Sequence, residues 1–261
     1  MSKILSIINQ KGGVGKTTTC INLAVCLREL GLKVLAVDLD SQANLTMGMG
    51  YADPDELSIT LADLLKAEIA TRTSGKASLP DRSEYLLSNH GVDFIPSSLE
   101  LAGVEFMLMN TVSRETVLKT FLEPFRADYD YILIDCLPSL GIYTVNALTA
   151  SDEVIIPADA QYFGAKGIRA LLQSVSAVQR NLNPTLTVRG ILVTMVHSRS
   201  AFQKDVMGLI DEAFSCNIKV FAPIPQSVEV SKQQSKGIPI VALKSNRVAM
   251  AYRNLAREVT S

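Results

Sequence analysis

A glycine-rich stretch near the N-terminus carries the residue types that bind phosphate. Residues 9–19 read Asn-Gln-Lys-Gly-Gly-Val-Gly-Lys-Thr-Thr-Thr, between an apolar run at 4–8 and a helical pattern at 16–30. A strand, a glycine loop and a helix in this order aim backbone N–H groups and the positive end of the helix dipole at one place. In such a loop Lys16 contacts the β- and γ-phosphates, and the Thr17 hydroxyl binds Mg²⁺. The stretch therefore predicts a nucleotide site.

The loop departs from the ordinary phosphate-loop pattern at its start. Gln10 stands where that pattern has its first glycine, five residues before Gly15, and Lys11 opens the glycine run instead. The simplest alternative is that Lys11 is a solvated loop lysine. We favour a role for Lys11 at the phosphates, because a charge beside a phosphate site is expected to act on it.

Carboxylates follow two further strand candidates. The strand at 33–38 leads into Asp38 and Asp40, and the strand at 131–135 ends in Asp135. A carboxylate directly after a buried strand is costly without a cation or hydrogen-bond donors. Asp135 is therefore predicted to act on Mg²⁺ through water, with a turn or helix-capping aspartate as the alternative. Asp38 and Asp40 lie on opposite sides of an extended chain. We expect Asp40 to polarise the attacking water and Asp38 to support the site by contacts with the loop lysine, the metal region or backbone groups.

The elements that would position these residues alternate along the chain. Strands are predicted at 3–8, 33–38, 92–96, 131–135, 153–157, 187–195 and 218–222. Helices are predicted at 16–30, 57–68, 98–109, 112–125, 140–149, 165–181, 203–213 and 243–259. Several strands are continuous apolar runs, which is typical of strands covered on both faces. The pattern predicts a single α/β domain over 1–261: one doubly wound, mostly parallel sheet with helices on both faces and ligands at the carboxyl ends of the strands.

Composition excludes several other classes of protein. The four cysteines (Cys20, Cys26, Cys136 and Cys216) lack Cys-x-x-Cys spacing and are predicted to be reduced core residues. The two histidines, His90 and His197, lie far apart and form no metal pair. No run approaches the about 18 apolar residues that cross a bilayer, and no signal peptide is evident. We expect a cytoplasmic protein. The polar, turn-rich stretch 69–90 is predicted to be a surface excursion.

Charge is distributed unevenly along the chain. Residues 189–261 hold ten Lys and Arg against five Asp and Glu, a net charge of +5. Because the whole chain carries −1, residues 1–188 carry −6. A basic C-terminal quarter suits a surface that faces a polyanion, although solvated helices with exposed lysines fit equally well.

The three loops together resemble those of the deviant Walker ATPases, and within that class the ParA/Soj-type partition ATPases. The segments that carry the resemblance are Lys11-Gly-Gly-Val-Gly-Lys-Thr-Thr, Val37-Asp-Leu-Asp-Ser-Gln and Ile134-Asp-Cys-Leu-Pro-Ser. Further similarity lies in Phe94-Ile-Pro-Ser-Ser-Leu-Glu-Leu-Ala-Gly, Ile156-Pro-Ala-Asp-Ala-Gln-Tyr-Phe and Gly237-Ile-Pro-Ile. The resemblance covers nearly the whole chain and is least distinctive at 69–90 and after residue 195.

The resemblance implies a role for each matching residue. Lys11 would cross a dimer interface to the phosphates of the other subunit, and Gly12 would let the two subunits approach closely. Asp40 would be needed for hydrolysis together with the two lysines of the loop, and Asp135 would act on Mg²⁺. The nucleotide-binding residues would be Lys11, Gly12, Gly13, Val14, Gly15, Lys16, Thr17 (also on Mg²⁺) and Thr18 (at the α-phosphate).

The resemblance also implies a function. ATP and Mg²⁺ would be the cofactors of an ATPase that is slow without its partner, and ATP would hold two copies of the chain together as a homodimer. In this family the dimer binds double-stranded DNA without sequence preference, and a ParB-type centromere-binding protein stimulates hydrolysis. The chain would then act in plasmid or chromosome partitioning and associate with the nucleoid in its ATP state. Adenine specificity follows from the resemblance alone.

Two positions depart from the family pattern. Leu137 stands where the family commonly has proline, which alters the stiffness of that loop. Gln226 stands where relatives often carry arginine, which puts one basic contact in doubt. Other basic residues of the C-terminal quarter could take over that contact, and the candidates for DNA binding are Lys232, Lys236, Lys244 and Arg247.

Three other functions were weighed. A MinD-like membrane-surface ATPase needs an amphipathic tail, whereas the apolar stripe near the C-terminus is typical of a core-packing face and no tail follows it. That stripe consists of Val248, Ala251, Leu255 and Val259. A reductase like the nitrogenase iron protein needs a second cluster cysteine besides Cys136, and none is suitably placed. A tyrosine autokinase needs a tyrosine-rich tail, and Tyr252 alone is not one. The MinD-like function is the main alternative.

Overall fold

One sheet organises the chain. The computed structural model describes residues 2–75, 78–160, 164–197 and 200–261. Their strands form an eight-stranded sheet in the order β3-β4-β2-β5-β1-β6-β7-β8. Only β3 and β4 pair antiparallel there, and the other neighbours are parallel. The strands are β1 (Lys3–Ile7), β2 (Val34–Leu39), β3 (Leu87–Asn89), β4 (Val92–Ile95), β5 (Tyr131–Cys136), β6 (Glu153–Asp159), β7 (Thr187–Thr194) and β8 (Val220–Phe221).

Helices cover both faces of this sheet. They are α1 (Lys16–Glu29), α2 (Asn44–Gly48), α3 (Leu61–Ser74), α4 (Arg82–Tyr85), α5 (Leu101–Met109), α6 (Val117–Leu122), α7 (Ile142–Ala150), α8 (Gly164–Asn181), α9 (Ala201–Phe214), α10 (Val228–Gln234) and α11 (Arg247–Thr260). Single 3₁₀ turns lie at Pro54–Glu56, Arg114–Thr116, Glu123–Ala127 and Ile240–Ala242. The predicted doubly wound, mostly parallel sheet is confirmed.

Alternating side chains of each strand feed two separate hydrophobic clusters. Ile4 packs with residues of α3 and α5–α9 on one face, whereas the next residue, Leu5, packs with α1, α2 and α11 on the other. Every residue of β2 and β5 is buried. The central strands are apolar without interruption because both of their faces are covered.

The short elements differ from the sequence prediction. The predicted elements do not include β3, α2, α4 or α10, which have three to seven residues and too few periods to give a pattern. The helix predicted at 57–68 begins later, at Leu61, because Thr60 and Asp63 form a capping box there. The helix predicted at 112–125 is split into a 3₁₀ turn, α6 and a second 3₁₀ turn that contains Pro124. Proline cannot continue a helix interior.

The stretch 69–90 differs from the predicted surface excursion at both ends. Its first residues continue α3 to Ser74, and Ile69 is buried in the core. Its last residues form β3, which pairs with β4 across a turn at His90 and Gly91. Both turn residues have positive φ, +52° and +74°, and glycine adopts that conformation without strain.

Two sequence expectations on single residues can be compared with the fold. Cys20, Cys26 and Cys136 are buried thiols, but Cys216 is exposed after α9, so its prediction as a core residue is wrong. The C-terminal stripe packs inward, since Val248, Leu255 and Val259 of α11 are buried among α1 residues. Among the described residues, no helix combines the length and apolar character needed to cross a membrane.

Candidate nucleotide site

Strand order brings the three predicted loops together. β5 lies between β1 and β2, with Asp135 in register with Ile7 on one side and Asp38 on the other. Because these strands are parallel, their carboxyl ends meet at one edge of the sheet. The glycine loop, the loop that contains Asp40 and the loop after Asp135 therefore surround one place, as expected for ligand sites of this fold.

A cavity of about 390 Å³ opens at this edge. The glycine loop and β2 supply one wall, with Gly12, Gly13, Gly15, Lys16, Thr17, Thr18 and Asp40. The loops after β7 and β8 together with α10 and α11 supply the opposite wall, with Thr194, Met195, Ile224, Pro225, Gln226, Ser227, Val230, Ser231, Gln234, Val248 and Tyr252. Asn44 and Pro138 complete the lining. Lys11, Val14 and Asp135 were also predicted site residues, and none of the three lines the cavity.

The backbone of the glycine loop leaves donors open towards the cavity. Gly13 and Gly15 have φ of +74° and +80°, a region in which L side chains are strained. Gly15 is the residue before α1, and no side chain caps that helix. The first N–H groups of α1 are therefore available to an anion, which is the arrangement that binds phosphate.

Gly12 differs from the other loop glycines. Its φ is not left-handed, and a Cβ atom placed on it would have no neighbour within 4 Å. Nothing among the described residues requires glycine at this position.

Lys16 is a buried cation at the floor of the cavity. Its side chain leaves the residue only 6% exposed, and Nζ donates a hydrogen bond to the carbonyl of Lys11 at 3.1 Å. Burial lowers the pKa of Lys16, and the nearby acids, Asp135 first, oppose this effect. An anion in the cavity would supply the charge partner that a buried ammonium needs.

Asp135 lies beneath the loop and is 1% exposed. Neither of its carboxylate oxygens accepts a hydrogen bond from the described residues. Burial raises the pKa of Asp135, the charge of Asp38 raises it further, and the Thr17 hydroxyl and Lys16 oppose the shift. A buried carboxylate without partners is costly, and a hydrated Mg²⁺ beside the Thr17 hydroxyl would satisfy it. The donor set therefore fits Mg²⁺.

The protein alone does not provide a complete metal site in the described part of the chain. No group of three or more His, Cys, Asp and Glu side chains there is placed to hold an ion. Mg²⁺ characteristically keeps several waters and binds one or two protein ligands plus substrate phosphates. The ion would therefore bind together with a nucleotide.

Asp38 and Asp40 have separate environments. Asp38 is fully buried and accepts hydrogen bonds from the backbone N–H (2.9 Å) and hydroxyl (2.7 Å) of Thr46 in α2. Burial raises the pKa of Asp38 to about 7, although these hydrogen bonds oppose the shift. Asp40 lines the cavity and accepts a hydrogen bond from the backbone of Gln42 at 3.0 Å. Asp38 thus anchors α2, and Asp40 is the one of the two carboxylates that lines the cavity.

The ammonium of Lys11 lies outside the cavity of its own chain. Its Nζ donates to Asp159 Oδ2 at the end of β6, at 2.6 Å. Asp159 is 7% exposed, and its Oδ1 has no hydrogen-bond partner among the described residues. Sequence reasoning assigned no role to Asp159, although it follows a buried strand as Asp135 does. A position at the end of a buried strand, which Asp159 shares with Asp135, was the sequence signal that could have identified Asp159.

The cavity wall that α10 and α11 supply also makes direct contacts with the residues that follow the glycine loop. The hydroxyl of Thr18, predicted at the α-phosphate, donates to Gln234 Oε1 of α10 at 3.1 Å. The hydroxyl groups of Thr19 and Tyr252 are 3.3 Å apart. Ile224, Pro225 and Val230 give this wall an apolar surface. Sequence patterns contained no signal for Gln234, because more than 200 residues separate it from Thr18.

Only some of the basic residues of the C-terminal quarter are available to form a basic surface. Among the described residues, four of its cations are paired with acids: Lys219 with Glu258, Arg253 with Glu29, Arg189 with Glu153 and Lys232, a predicted DNA-binding residue, with Glu229. The predicted DNA-binding residues lie on α10 and the segments up to the start of α11, beside the cavity. Arg247 is exposed and donates to the carbonyl of Gln226 at 2.7 Å. The guanidinium group of Arg247 therefore contacts the backbone of Gln226, the position at which relatives often carry arginine.

Comparison with known proteins identifies the family. Residues 2–188 match the family model described as an AAA domain. The chain is 41% identical over 263 residues to the sporulation initiation inhibitor protein Soj of Bacillus subtilis, covering 100% of this chain and 99% of that protein. The chain belongs to the ParA/Soj family of P-loop ATPases. The predicted resemblance is thereby confirmed.

Further members and neighbours of the ParA/Soj family agree over nearly the full length. The chromosome-partitioning ATPase Soj of Treponema pallidum is 39% identical over 265 residues, covering 100% of this chain and 98% of that protein. Cobyrinic acid a,c-diamide synthase of Mycobacterium smegmatis, solved with a bound ATP analogue and magnesium, superposes with a TM-score of 0.83 at 33% identity. That match covers 98% of this chain and 93% of the other.

Proposed function

We propose that this ParA/Soj chain is a Mg²⁺-dependent ATPase that dimerises around ATP, binds non-specific DNA as the dimer and acts in plasmid or chromosome partitioning. The observation that carries the proposal is the cavity edge, where the uncapped N-terminus of α1 and buried Lys16 meet Asp135, a buried carboxylate that accepts no hydrogen bond in the described part of the chain. The printed name of the Treponema relative, a chromosome-partitioning ATPase, supports the partition role. The ATP analogue and magnesium in the Mycobacterium structure support the choice of cofactors.

ATP would lie across the cavity from the glycine loop to the opposite wall. Its phosphates would take the open N–H groups of α1 and the ammonium of Lys16, and Thr18 would exchange Gln234 for a phosphate oxygen. The apolar surface of Ile224, Pro225 and Val230 suits the base. Mg²⁺, held through Thr17 and Asp135, would neutralise charge on the phosphates. Asp40 would orient the attacking water and accept its proton.

Two observations support a dimer around the nucleotide. Lys11 is attached to Asp159 and does not line its own cavity, so it is placed to act on a phosphate elsewhere. Gly12 has open space where a side chain would project. In the dimer Lys11 would exchange Asp159 for the phosphates bound to the other subunit. Hydrolysis would remove this ligand and return the population to monomers.

Gly12→Val tests the dimer without disturbing the fold. We expect the variant to lose ATP-dependent dimerisation, because the valine occupies space that the described residues leave empty. ATP binding by the variant is measured separately, since Gly12 also lines the cavity. Stability should change by less than about 1 kcal/mol. Sedimentation with ATP and Mg²⁺ measures the oligomer, and Gly208→Val on α9, where a Cβ also meets nothing within 4 Å, is the matched control. A dimer of normal affinity in Gly12→Val would contradict close approach at this residue.

Binding of the protein to non-specific duplex DNA tests the DNA-binding part of the proposal. We expect binding only with ATP and Mg²⁺, falling steeply as salt rises, because phosphate neutralisation releases counterions. Replacing Lys236, Lys244 or Arg247 by Gln should each lower the salt slope by about one. Lys119→Gln on α6 is an exposed-lysine control. Binding that needs no ATP, or that salt leaves unchanged, would contradict the proposal.

A ParB-type protein should raise the hydrolysis rate.

A further inference from the structure

Helix α5 is apolar on all sides. It reads Leu-Ala-Gly-Val-Glu-Phe-Met-Leu-Met and carries one charged residue, Glu105. Leu101, Val104 and Leu108 are buried against the core. A helix that is hydrophobic all round normally has protein on every side, yet the outer side of α5 is open, with Phe106 74% exposed. Something outside the described chain is expected to cover it.

Exposed residues of α5 and of the turn before it form an apolar surface, which we call the α5 face. It consists of Leu99 (60% exposed), which precedes the helix, and of Ala102, Gly103, Phe106, Met107 (41% exposed) and Met109 (56% exposed). The spacing of three and four residues among Ala102, Gly103, Phe106 and Met109 places these four on the same side of the helix. None of them is charged, and exposed apolar patches of this kind mark interaction sites. A Cβ atom on Gly103 would meet none of the described residues within 4 Å, so the surface beside the exposed Phe106 ring is open.

The α5 face adjoins the nucleotide site. α5 follows β4, whose carboxyl end lies at the same edge of the sheet as the glycine loop. Glu105 Oε1 lies 3.1 Å from the position of a Cβ on Gly141, in the loop that carries the cavity residue Pro138. Leu140 of that loop is itself 41% exposed. The α5 face thus lies next to the loop that carries Pro138, at the edge of the sheet at which the nucleotide would bind.

We propose that the α5 face is part of the ATP-dependent interface and is covered by a second copy of this chain. The inference rests on the proposed dimer. A twofold interface pairs the same surface on both subunits, so that surface must be complementary to itself. The exposed Phe106 ring beside the open position of Gly103, on a face whose members are uncharged, meets this condition. Continuity with the nucleotide edge favours a second copy over an unrelated protein.

Phe106→Glu measures the contribution of the α5 face to dimerisation. With a non-hydrolysable ATP analogue and Mg²⁺, the dimer dissociation constant from sedimentation should rise by about tenfold or more, because a carboxylate becomes buried without a partner. Leu209→Glu, at a 50% exposed leucine of α9, should leave it unchanged. Thermal unfolding and nucleotide binding should match the parent protein in both variants. A normal dissociation constant for Phe106→Glu would overturn the inference and leave the dimer intact, whereas a monomeric parent protein would overturn the proposed function.

A tryptophan reporter gives a second readout that does not weaken the interface by charge. The chain contains no tryptophan, so Phe106→Trp introduces a single emitter on the α5 face. Its emission should shift to the blue with the ATP analogue and Mg²⁺, and the shift should depend on protein concentration. Leu209→Trp should show no shift. Emission of Phe106→Trp that stays solvent-like in a sample shown by sedimentation to be dimeric would overturn the inference, because the face would then remain open.

Discussion

Lys16→Ala should weaken ATP binding by about 100-fold or more, so that binding at micromolar nucleotide is lost. Lys16 is the buried cation of the cavity, and its ammonium is the group placed to contact the phosphates. Its removal leaves phosphate charge opposite Asp135 and Asp40 without compensation. Titration with a fluorescent ATP analogue measures the dissociation constant.

The control for this variant is a lysine that cannot reach the nucleotide. Lys119→Ala removes an exposed lysine from α6 and should bind ATP with the parent affinity. Thermal unfolding of the nucleotide-free proteins tests whether Lys16→Ala remains folded. Normal ATP affinity in a folded Lys16→Ala variant would show that the glycine loop is not the phosphate site.

Asp40→Ala should keep ATP binding but lower hydrolysis by about 100-fold or more, the range expected for loss of a general base. Asp40 lines the cavity, whereas Asp38 is fully engaged with Thr46. Because ATP then persists, the dimer should persist with it. A sizing column run with ATP and Mg²⁺ should show a long-lived dimer, and phosphate release should show little turnover.

Asp53→Ala provides the matched control for Asp40→Ala. Asp53 is an exposed carboxylate in the loop after α2, and its side chain does not cap the 3₁₀ turn that follows. This variant should hydrolyse ATP at the parent rate and return to the monomer. If Asp40→Ala stayed monomeric at saturating ATP and Mg²⁺, the nucleotide-held dimer would be wrong. Unchanged phosphate release would instead remove Asp40 from the hydrolytic step.

Long apolar runs in the sequence predicted the central strands of the sheet, whereas the short helices and strands were not predicted. The apolar runs at β5 and β6 are continuous because both faces of those strands are covered. Composition alone therefore identifies these segments as strands. α10 has only seven residues and no buried stripe, yet Gln234 on it contacts the glycine loop. Its place at the cavity follows from packing, which local patterns do not encode.

The sequence by itself determined the family and predicted the phosphate loop, because their signals lie within short stretches. The residues from Lys11 to Thr18 are contiguous, and their glycines set the local backbone geometry that leads into the start of α1. Asp40 and Asp135 were predicted in the same way, as carboxylates directly after apolar strands.

Only the tertiary structure decided which groups these residues meet. Lys11 and Asp159 are 148 residues apart in the chain and are joined because β1 and β6 are neighbours in the sheet. The division between Asp38 and Asp40 depends on Thr46, which α2 brings under the loop. The exposed side of α5 could not be predicted, since a helix that is apolar all round gives no periodicity to show which side is buried. Burial is a property of the packed chain, and packing alone left Phe106 in the open.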